Sequence, residues 1–227
     1  MRIIIINGSP RVSGITATTL HMLEKELKGN GMEVKFFNLS EIEMSHCLGC
    51  CSCYKTGHCC IRDDAEKLSE EIAEADGVIL GSPTYASNVS GLMKDFIDRG
   101  HFVIEQLLHG KYCVIVATGE NYGNGDAAKV LKNLVIYSGG RLSGSIGFNS
   151  PFNGEDFEKE KLYGRCRRAA HRMIKAMRGK KIYPIQSMIH FIVLNLGIRP
   201  FVKRKGKLYQ GVTDKWEALG ISEKAGC

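Results

Sequence analysis

The stretch RIIIINGSPRVSGIT, residues 2 to 16, contains the signals that decide the fold. Its first part, RIIIIN (2–7), is a run of apolar β-branched residues, which is typical of a buried strand. Gly8 ends the run, and residues 15–31 then place Leu20, Leu23 and Leu27 on one helical face before a glycine stop. The stretch therefore predicts a strand, a turn and a helix.

The same alternation of strands and helices continues along the chain. Apolar runs predict strands at 33–39, 77–83, 112–119 and 141–148, and helical patterns occupy 63–75, 90–108, 125–138 and 155–179. Continuous apolar strands that alternate with helices predict a parallel sheet covered on both faces. Five such strands fit a doubly wound α/β sheet, in which ligands bind beyond the carboxyl ends of the strands.

Length and composition narrow the class of protein. With 227 residues, 44% of them apolar, the chain can bury one good core, so we expect a domain over residues 1–180 and a C-terminal extension over 181–227. The N-terminal isoleucine run is too short for a signal peptide and lacks a small-residue cleavage site, which predicts a cytoplasmic protein. In a reducing cytosol, clustered cysteines are more often metal-binding or redox-active than part of a disulfide framework.

Charge is distributed unevenly. Residues 161–207 contain fourteen Lys and Arg and no Asp or Glu, in a chain whose net charge is +7. This asymmetry predicts either an anionic partner or a solvated basic face. Residues 182–198 carry no charge and are shorter than the roughly 20 residues of a membrane-spanning helix. We expect them to pack on the domain or on a second subunit, with peripheral membrane contact through 182–207 as the alternative.

Three predicted loops leave the carboxyl ends of strands. The first, NGSPRVSGITATT (7–19), has glycines, hydroxyls and one Arg before a helix N-terminus, which favours a phosphate site. It has neither the Lys of an ATP-binding loop nor the glycine pattern of a dinucleotide site. The second, GSPTYASNVSG (81–91), and the third, TGENYGNG (118–125), offer small residues that let backbone approach a flat ligand. Each loop alone is also compatible with ordinary turn chemistry.

Together the three loops resemble those of the NAD(P)H-dependent FMN reductases of the flavodoxin-like superfamily, and in particular the iron-sulfur flavoproteins. The most specific part is SP-x-Y followed by SG-x-x-K-x-F-x-DR, within residues 82–99. The resemblance implies a flavodoxin-like doubly wound five-stranded parallel sheet of order 2-1-3-4-5 with a basic C-terminal extension. It also implies an FMN site, with Ser9, Arg11, Ser13, Gly14, Ile15 and Thr16 at the phosphate and Pro83, Thr84, Tyr85, Asn88, Thr118, Gly119 and Glu120 around the ring. Ile15 departs from the Asn that this family often has.

The resemblance implies that hydride passes from NAD(P)H to FMN and that electrons then leave for an acceptor that the sequence does not identify. Flavin chemistry needs no protein nucleophile, so we expect no catalytic side chain. We expect His46, His58, His101 and His109 to be loop or surface residues. We also expect a homodimer or homotetramer, since flavin sites in this superfamily are often completed by a neighbouring subunit.

Six of the nine cysteines lie in HCLGCCSCYKTGHCC, residues 46–60. The spacing Cys47-x2-Cys50-x2-Cys53-x5-Cys59 is the one by which iron-sulfur flavoproteins bind a [4Fe-4S] cluster, so the resemblance implies these four ligands. The other two cysteines, Cys51 and Cys60, would be bystanders, although Cys60 could replace Cys59. Two alternatives stay open: free or redox-active thiols, and a zinc site, although zinc usually takes two separated C-x2-C pairs.

Three functions are compatible with these features. The first is an FMN enzyme that oxidises NAD(P)H, and the second is a flavin or cluster electron carrier without a nicotinamide site. The third is a binding protein that uses its basic tail on lipid or nucleic acid, and of these two partners we do not expect nucleic acid.

Overall fold

The chain folds into a central sheet with helices on both faces. The structure is a computed structural model that describes residues 1–151 and 158–221. Over those residues, five parallel strands lie in the order β2-β1-β3-β5-β6, and a short strand, β4, pairs antiparallel with the end of β3. Apart from β4, this confirms the expected 2-1-3-4-5 order. The strands are β1 (Arg2–Asn7), β2 (Glu33–Asn38), β3 (Gly77–Tyr85), β4 (Asn88–Val89), β5 (Tyr112–Gly119) and β6 (Arg141–Asn149).

Helices connect the strands and form the C-terminal extension. They are α1 (Ile15–Gly29), α2 (Ser52–Thr56), α3 (Asp64–Glu74), α4 (Gly91–Arg99), α5 (Phe102–Glu105), α6 (Asn124–Tyr137), α7 (Lys159–Arg178), α8 (Pro184–Ile192), α9 (Arg199–Lys205) and α10 (Gln210–Ala218). A π-helical turn (Val193–Ile198) joins α8 to α9, and a 3₁₀ turn (Gly206–Tyr209) joins α9 to α10. The first residues of the helix predicted over 155–179 lie outside the described residues, as do residues 222–227 with Cys227.

One predicted helix is divided in two. We expected a single helix over 90–108, whereas the structure ends α4 at Arg99 and begins α5 at Phe102. His101, between them, has a φ of 50°, a left-handed conformation that stops a helix. Gly100 is required at this corner because a Cβ there would lie 2.2 Å from the ring of Phe102. Side-chain periodicity continues across the corner, so the pattern alone does not show it.

Strand β1 shows why ligands are confined to the strand ends. Ile3 and Ile5 are fully buried in the core that α1 and α7 cover, and Ile4 and Ile6 are fully buried in the core of the opposite face. Because successive strand side chains point to opposite faces, a run of four isoleucines fills both cores at once. Both faces of β1 are therefore packed with side chains, and the space for a ligand lies beyond the ends of the strands.

The C-terminal extension has a small core of its own. Leu194, Val202, Val212 and Trp216 are buried together, against partners that include Ile104 of α5. The indole N–H of Trp216 also donates to the Ile104 carbonyl at 2.9 Å. By length and composition alone, the continuous helical segment Pro184–Ala218 is long and apolar enough to cross a membrane, and 11% of its most apolar stretch is buried. Residues 182–198 alone were expected to be too short to span a membrane. The helical segment is longer, 35 residues, because it continues past Lys203 and its basic neighbours.

Candidate functional site

A cavity of about 680 Å³ opens at the carboxyl ends of the central strands. Its volume is in the range of roughly 300–1,000 Å³ that is typical of small-molecule sites. The cavity lies beside the ends of β1 and β3, where the strand order of the sheet reverses, and this is the usual ligand site of doubly wound folds. Twelve predicted FMN ligands line it: Ser9, Arg11, Ser13, Gly14, Ile15, Thr16, Pro83, Thr84, Tyr85, Thr118, Gly119 and Glu120.

The structure differs from the sequence-based list at the margins of the cavity. Asn88 belongs to β4 and is not among the described residues that line the cavity, and its side chain accepts a hydrogen bond from the Val89 N–H at 2.8 Å. Ser150 and Pro151, which we did not predict, complete the wall after β6. They follow the carboxyl end of β6. Since ligands bind beyond the carboxyl ends of strands in this fold, their position was predictable in the same way as that of the other three loops.

The first loop presents backbone N–H groups to the cavity. The loop is shaped locally, since the Ser9 N–H donates to Asn7 Oδ1 at 3.0 Å and the Arg11 N–H donates to Ser9 Oγ at 3.1 Å. Helix α1 begins after Gly14, and within the described structure no side chain caps its first turn. Uncapped N–H groups and the positive end of the helix dipole attract an anion. This end of the cavity is therefore suited to phosphate.

The three loops are tied to one another. The Thr16 and Thr118 hydroxyls lie 2.6 Å apart and are buried, which joins the first loop to the third. The Ser90 hydroxyl donates to the Gly8 carbonyl at 2.5 Å, which joins the first loop to the start of α4. At Gly8, a Cβ would lie 2.9 Å from the Cβ of Met93, so only glycine allows this approach. The cavity wall is accordingly a single connected unit.

The second loop presents an unpaired buried hydroxyl and a half-exposed aromatic ring to the cavity. Thr84 Oγ1 is buried and has no hydrogen-bond partner in the part of the chain that the structure describes. A buried hydroxyl left unpaired costs free energy, so a polar ligand atom at the cavity wall would stabilise it. Tyr85 stands at the rim with its side chain about half exposed. A ligand with both polar atoms and a flat ring, such as the expected FMN, fits this wall.

The hairpin turn beside Tyr85 is strained. Ala86 and Ser87 have φ values of 48° and 57°, in a two-residue turn that normally takes Asn-Gly. Each such residue costs on the order of 1–3 kcal/mol, which the surrounding structure must offset. Packing from the third loop supports the turn, because a Cβ at Gly123 would lie 2.9 Å from Ser87 Oγ. The rim of the cavity is thus held in a conformation that its sequence does not favour locally.

The cysteine loop follows β2 and packs against the end of α4, where Arg99 contacts Ser45 and Cys59. Cys47 and Cys50 are exposed, Cys59 is partly exposed, and Cys53 is buried on α2. Within residues 1–151 and 158–221, no group of three or more His, Cys, Asp or Glu is placed to hold a metal ion. This finding concerns a single ion, whereas a [4Fe-4S] cluster takes its four thiolates at separate iron atoms. The four predicted ligands therefore stay a prediction.

Two buried charges hold the ends of the cysteine loop. The side chains of Arg99 and Asp63 are 1% and 4% exposed and pair through two hydrogen bonds of 2.7 Å. Burial alone would raise the pKa of Asp63, but hydrogen bonds from Arg99 and from the Ser45 and Ala65 N–H groups hold it below its ordinary value. Arg99 also lies 3.5 Å from Cys59 Sγ. This pair has no local sequence signal, since its residues are 36 positions apart.

Cys53 is covered from two directions. Its Sγ lies 3.6 Å from Nδ1 of His101, and burial raises the pKa of the Cys53 thiol to about 12. His101 lies in the turn between α4 and α5 and is half-buried, and burial lowers its pKa to about 4. On the other side, α10 approaches so closely that a Cβ at Gly211 would lie 3.0 Å from the Cys53 carbonyl. The C-terminal extension therefore forms part of the cysteine site.

Comparison with known proteins agrees with this architecture. Residues 1–153 match the family model described as NADPH-dependent FMN reductase. An iron-sulfur flavoprotein of Clostridioides difficile is 39% identical over 225 residues, covering 97% of this chain and 100% of the relative. An iron-sulfur flavoprotein of Archaeoglobus fulgidus is 33% identical over 144 residues, covering 62% of this chain and 70% of the relative. A solved flavodoxin from the domain Archaea superposes with a TM-score of 0.54 at 14% identity, over 78% of this chain and 99% of that one, so the fold is flavodoxin-like.

Proposed function

This chain belongs to the NADPH-dependent FMN reductase family, and on that premise we propose that it oxidises NAD(P)H through FMN and passes electrons to a [4Fe-4S] cluster in the cysteine loop. The chain is an FMN-binding oxidoreductase with a flavodoxin-like fold. The observation that supports electron transfer from FMN to a cluster is that the cavity and the cysteine loop lie at the two ends of α4. Ser90 holds the first loop at one end, and Arg99 holds the cysteine loop at the other.

The cavity residues divide between the two parts of FMN. The uncapped start of α1, with Ser9, Arg11, Ser13 and Thr16, would hold the phosphate. The ring would lie between the second and third loops, lined by Pro83, Thr84, Tyr85, Thr118, Gly119 and Glu120. When bound, FMN supplies a group that accepts a hydride and releases electrons, and the protein supplies binding, orientation and exclusion of water. No cavity side chain needs to act as a nucleophile.

Two facts support a cluster held by Cys47, Cys50, Cys53 and Cys59. The relatives named iron-sulfur flavoprotein include one that is similar over nearly the whole chain. The buried Arg99 guanidinium beside Cys59 suits an anionic, metal-bound sulfur. Cluster binding must also displace the proton of Cys53, whose pKa burial raises to about 12, because iron binds the thiolate. We place this chemistry in the cytoplasm, where thiols stay reduced.

Mixing experiments test the nicotinamide step. Under anaerobic conditions, NADPH or NADH should bleach the absorbance of bound FMN within the dead time or shortly after mixing in a stopped-flow instrument. An electron carrier without a nicotinamide site would keep its oxidised flavin spectrum with both donors, although dithionite would still bleach it. That second outcome would contradict the proposed enzyme and would leave the electron carrier as the function.

We also propose that the protein is a homodimer or homotetramer. Ile185, Met188, Phe191 and Leu196 are each more than half exposed, within a segment that has no charged residue from 182 to 198. An uncharged centre with Lys and Arg at its border has the composition of a subunit interface. Light scattering should give at least twice the chain mass at micromolar concentration. A monomer that floats with anionic vesicles would instead support peripheral membrane contact through 182–207.

A further inference from the structure

The cysteine loop closes at one buried arginine. Arg99 Nη1 donates to the Ser45 carbonyl at 2.7 Å, before the first cysteine, and the same guanidinium forms a fork with the Asp63 carboxylate, after the last cysteine of the loop. The Ser45 N–H completes the arrangement by donating to Asp63 at 2.9 Å. A planar guanidinium with five donors can satisfy all of these acceptors at once, which an ammonium group cannot. Arg99 thus joins the two ends of the cysteine loop.

The same arginine is connected to the flavin cavity through α4. At the start of that helix, Ser90 accepts from the Met93 N–H at 3.1 Å and donates to the Gly8 carbonyl of the first loop. Arg99 is the last residue of the helix, nine residues long. A helix of that length spans about 13 Å and is stiff, so it fixes the separation between the two loops. The cysteine loop therefore takes its position from the residue that ends this helix.

Arg99 also reaches a sulfur atom. Its second terminal nitrogen, Nη2, which donates to Asp63, also lies 3.5 Å from Cys59 Sγ, within the distance of an N–H to sulfur hydrogen bond. The guanidinium is always charged, and its side chain is 1% exposed, so solvent screens the interaction little. Hydrogen bonds and charges at ligating sulfurs set the reduction potential of an iron-sulfur centre.

We propose that Arg99 is a positioning residue that holds the cysteine loop against α4 and raises the reduction potential of the centre that Cys59 ligates. A [4Fe-4S] cluster held by the loop cysteines would gain one electron on reduction, supplied by the donor through FMN, and its ligating sulfurs would become more negative. A buried cation beside one sulfur stabilises that reduced state more than the oxidised state. The inference rests on the proposed cluster.

A potentiometric titration of anaerobically purified protein tests the inference, with Arg99→Gln and Arg99→Lys as variants. Arg99→Gln removes the charge and should shift the cluster equilibrium toward the oxidised state by on the order of tenfold, about 59 mV for a one-electron couple. Arg99→Lys keeps a cation but not the fork, because the three donors of an ammonium cannot reproduce the bonds to the Ser45 carbonyl, both Asp63 oxygens and Cys59 together, so its potential should fall by less. Arg2→Gln is the matched control, since Arg2 lies in an ion-pair cluster with Glu71 and Glu74.

The outcomes separate the inference from the function on which it rests. Wild-type potentials in loaded Arg99→Gln, with iron and sulfide contents unchanged, would overturn the inference and leave the cluster standing. If Arg99→Gln does not fold because Asp63 is left buried and unpaired, the folded Arg99→Lys decides, and an unshifted potential there overturns the inference. An equal shift in Arg2→Gln would also overturn it. Wild-type protein without iron and sulfide would overturn the proposed cluster together with this inference.

Discussion

The hydroxyls of Thr16 and Thr118 form a buried hydrogen bond of 2.6 Å between the first turn of α1 and the end of β5. The two residues are 102 positions apart and belong to two of the loops that line the cavity. Because the bond is protected from water, it fixes the phosphate end of the cavity relative to the ring end. Binding of FMN should therefore respond to small changes in the first loop.

Ligand discrimination tests the phosphate assignment. We expect Arg11→Ala and Thr16→Ala to weaken FMN much more than riboflavin, which has no phosphate. Loss of a hydrogen bond to a charged group costs about 1.5–3 kcal/mol, which is roughly a ten- to hundredfold rise in Kd. Calorimetric titration of the apoprotein with both ligands measures the difference. Thr16→Ser keeps the hydroxyl and should bind both ligands as the wild type does, and equal losses for FMN and riboflavin would contradict a phosphate role.

The close contact at Gly8 gives a second prediction. Gly8→Ala must separate the first loop from α4, because its Cβ would lie 2.9 Å from the Cβ of Met93. We expect a loss of about 1–3 kcal/mol in the free energy of unfolding, as for other overpacked sites, together with weaker FMN binding. Gly91→Ala is the control, since a Cβ built there has no described atom within 4 Å apart from its chain neighbours and its own helix backbone. A Gly8→Ala protein with wild-type stability and affinity would be inconsistent with this contact.

The cover over Cys53 can be tested without any cofactor. Gly211→Ala places a Cβ 2.2 Å from the Gly57 nitrogen, so α10 must move away from α2. In the apoprotein we expect Cys53 to react faster with a thiol reagent, measured residue by residue by mass spectrometry. Gly197→Ala lies in the same extension and, among the described atoms, has no neighbour within 4 Å of the added Cβ. Equal labelling rates for the two variants would show that the extension does not cover Cys53.

Acid should loosen the extension. Burial, together with the neighbouring His109, lowers the pKa of His190 to about 4, and its Nε2 lies 2.6 Å from Gln106 Oε1. The unfolded chain therefore binds a proton more readily than the folded one, and the stabilisation from neutral His190 is lost as the pH falls from about 6.5 toward 4. The protection of the α8 amides against hydrogen exchange, corrected for the intrinsic exchange rate at each pH, should fall over that window. His190→Gln should flatten the pH dependence, whereas His171→Gln, on the exposed side of α7, should not change it.

Much of the fold could be predicted because its signals are local. The four isoleucines of β1 and the leucines of α1 predict a buried strand and an amphipathic helix. The direction of the strands then predicts which loops lie at the ligand-binding end of the sheet. The features that escaped prediction are non-local. Arg99 meets Asp63 and Cys59 only after the chain folds, and nothing around Gly211 indicates that it approaches Gly57. The break at His101 depends on a left-handed φ that non-glycine residues seldom adopt.

The most direct test of the account is the iron and acid-labile sulfide content of protein purified without oxygen. The account predicts about four of each per FMN, and it predicts that Cys53→Ser abolishes both while FMN stays bound. A yellow protein that contains FMN without iron or sulfide, and whose loop cysteines titrate as free thiols, would contradict the cluster.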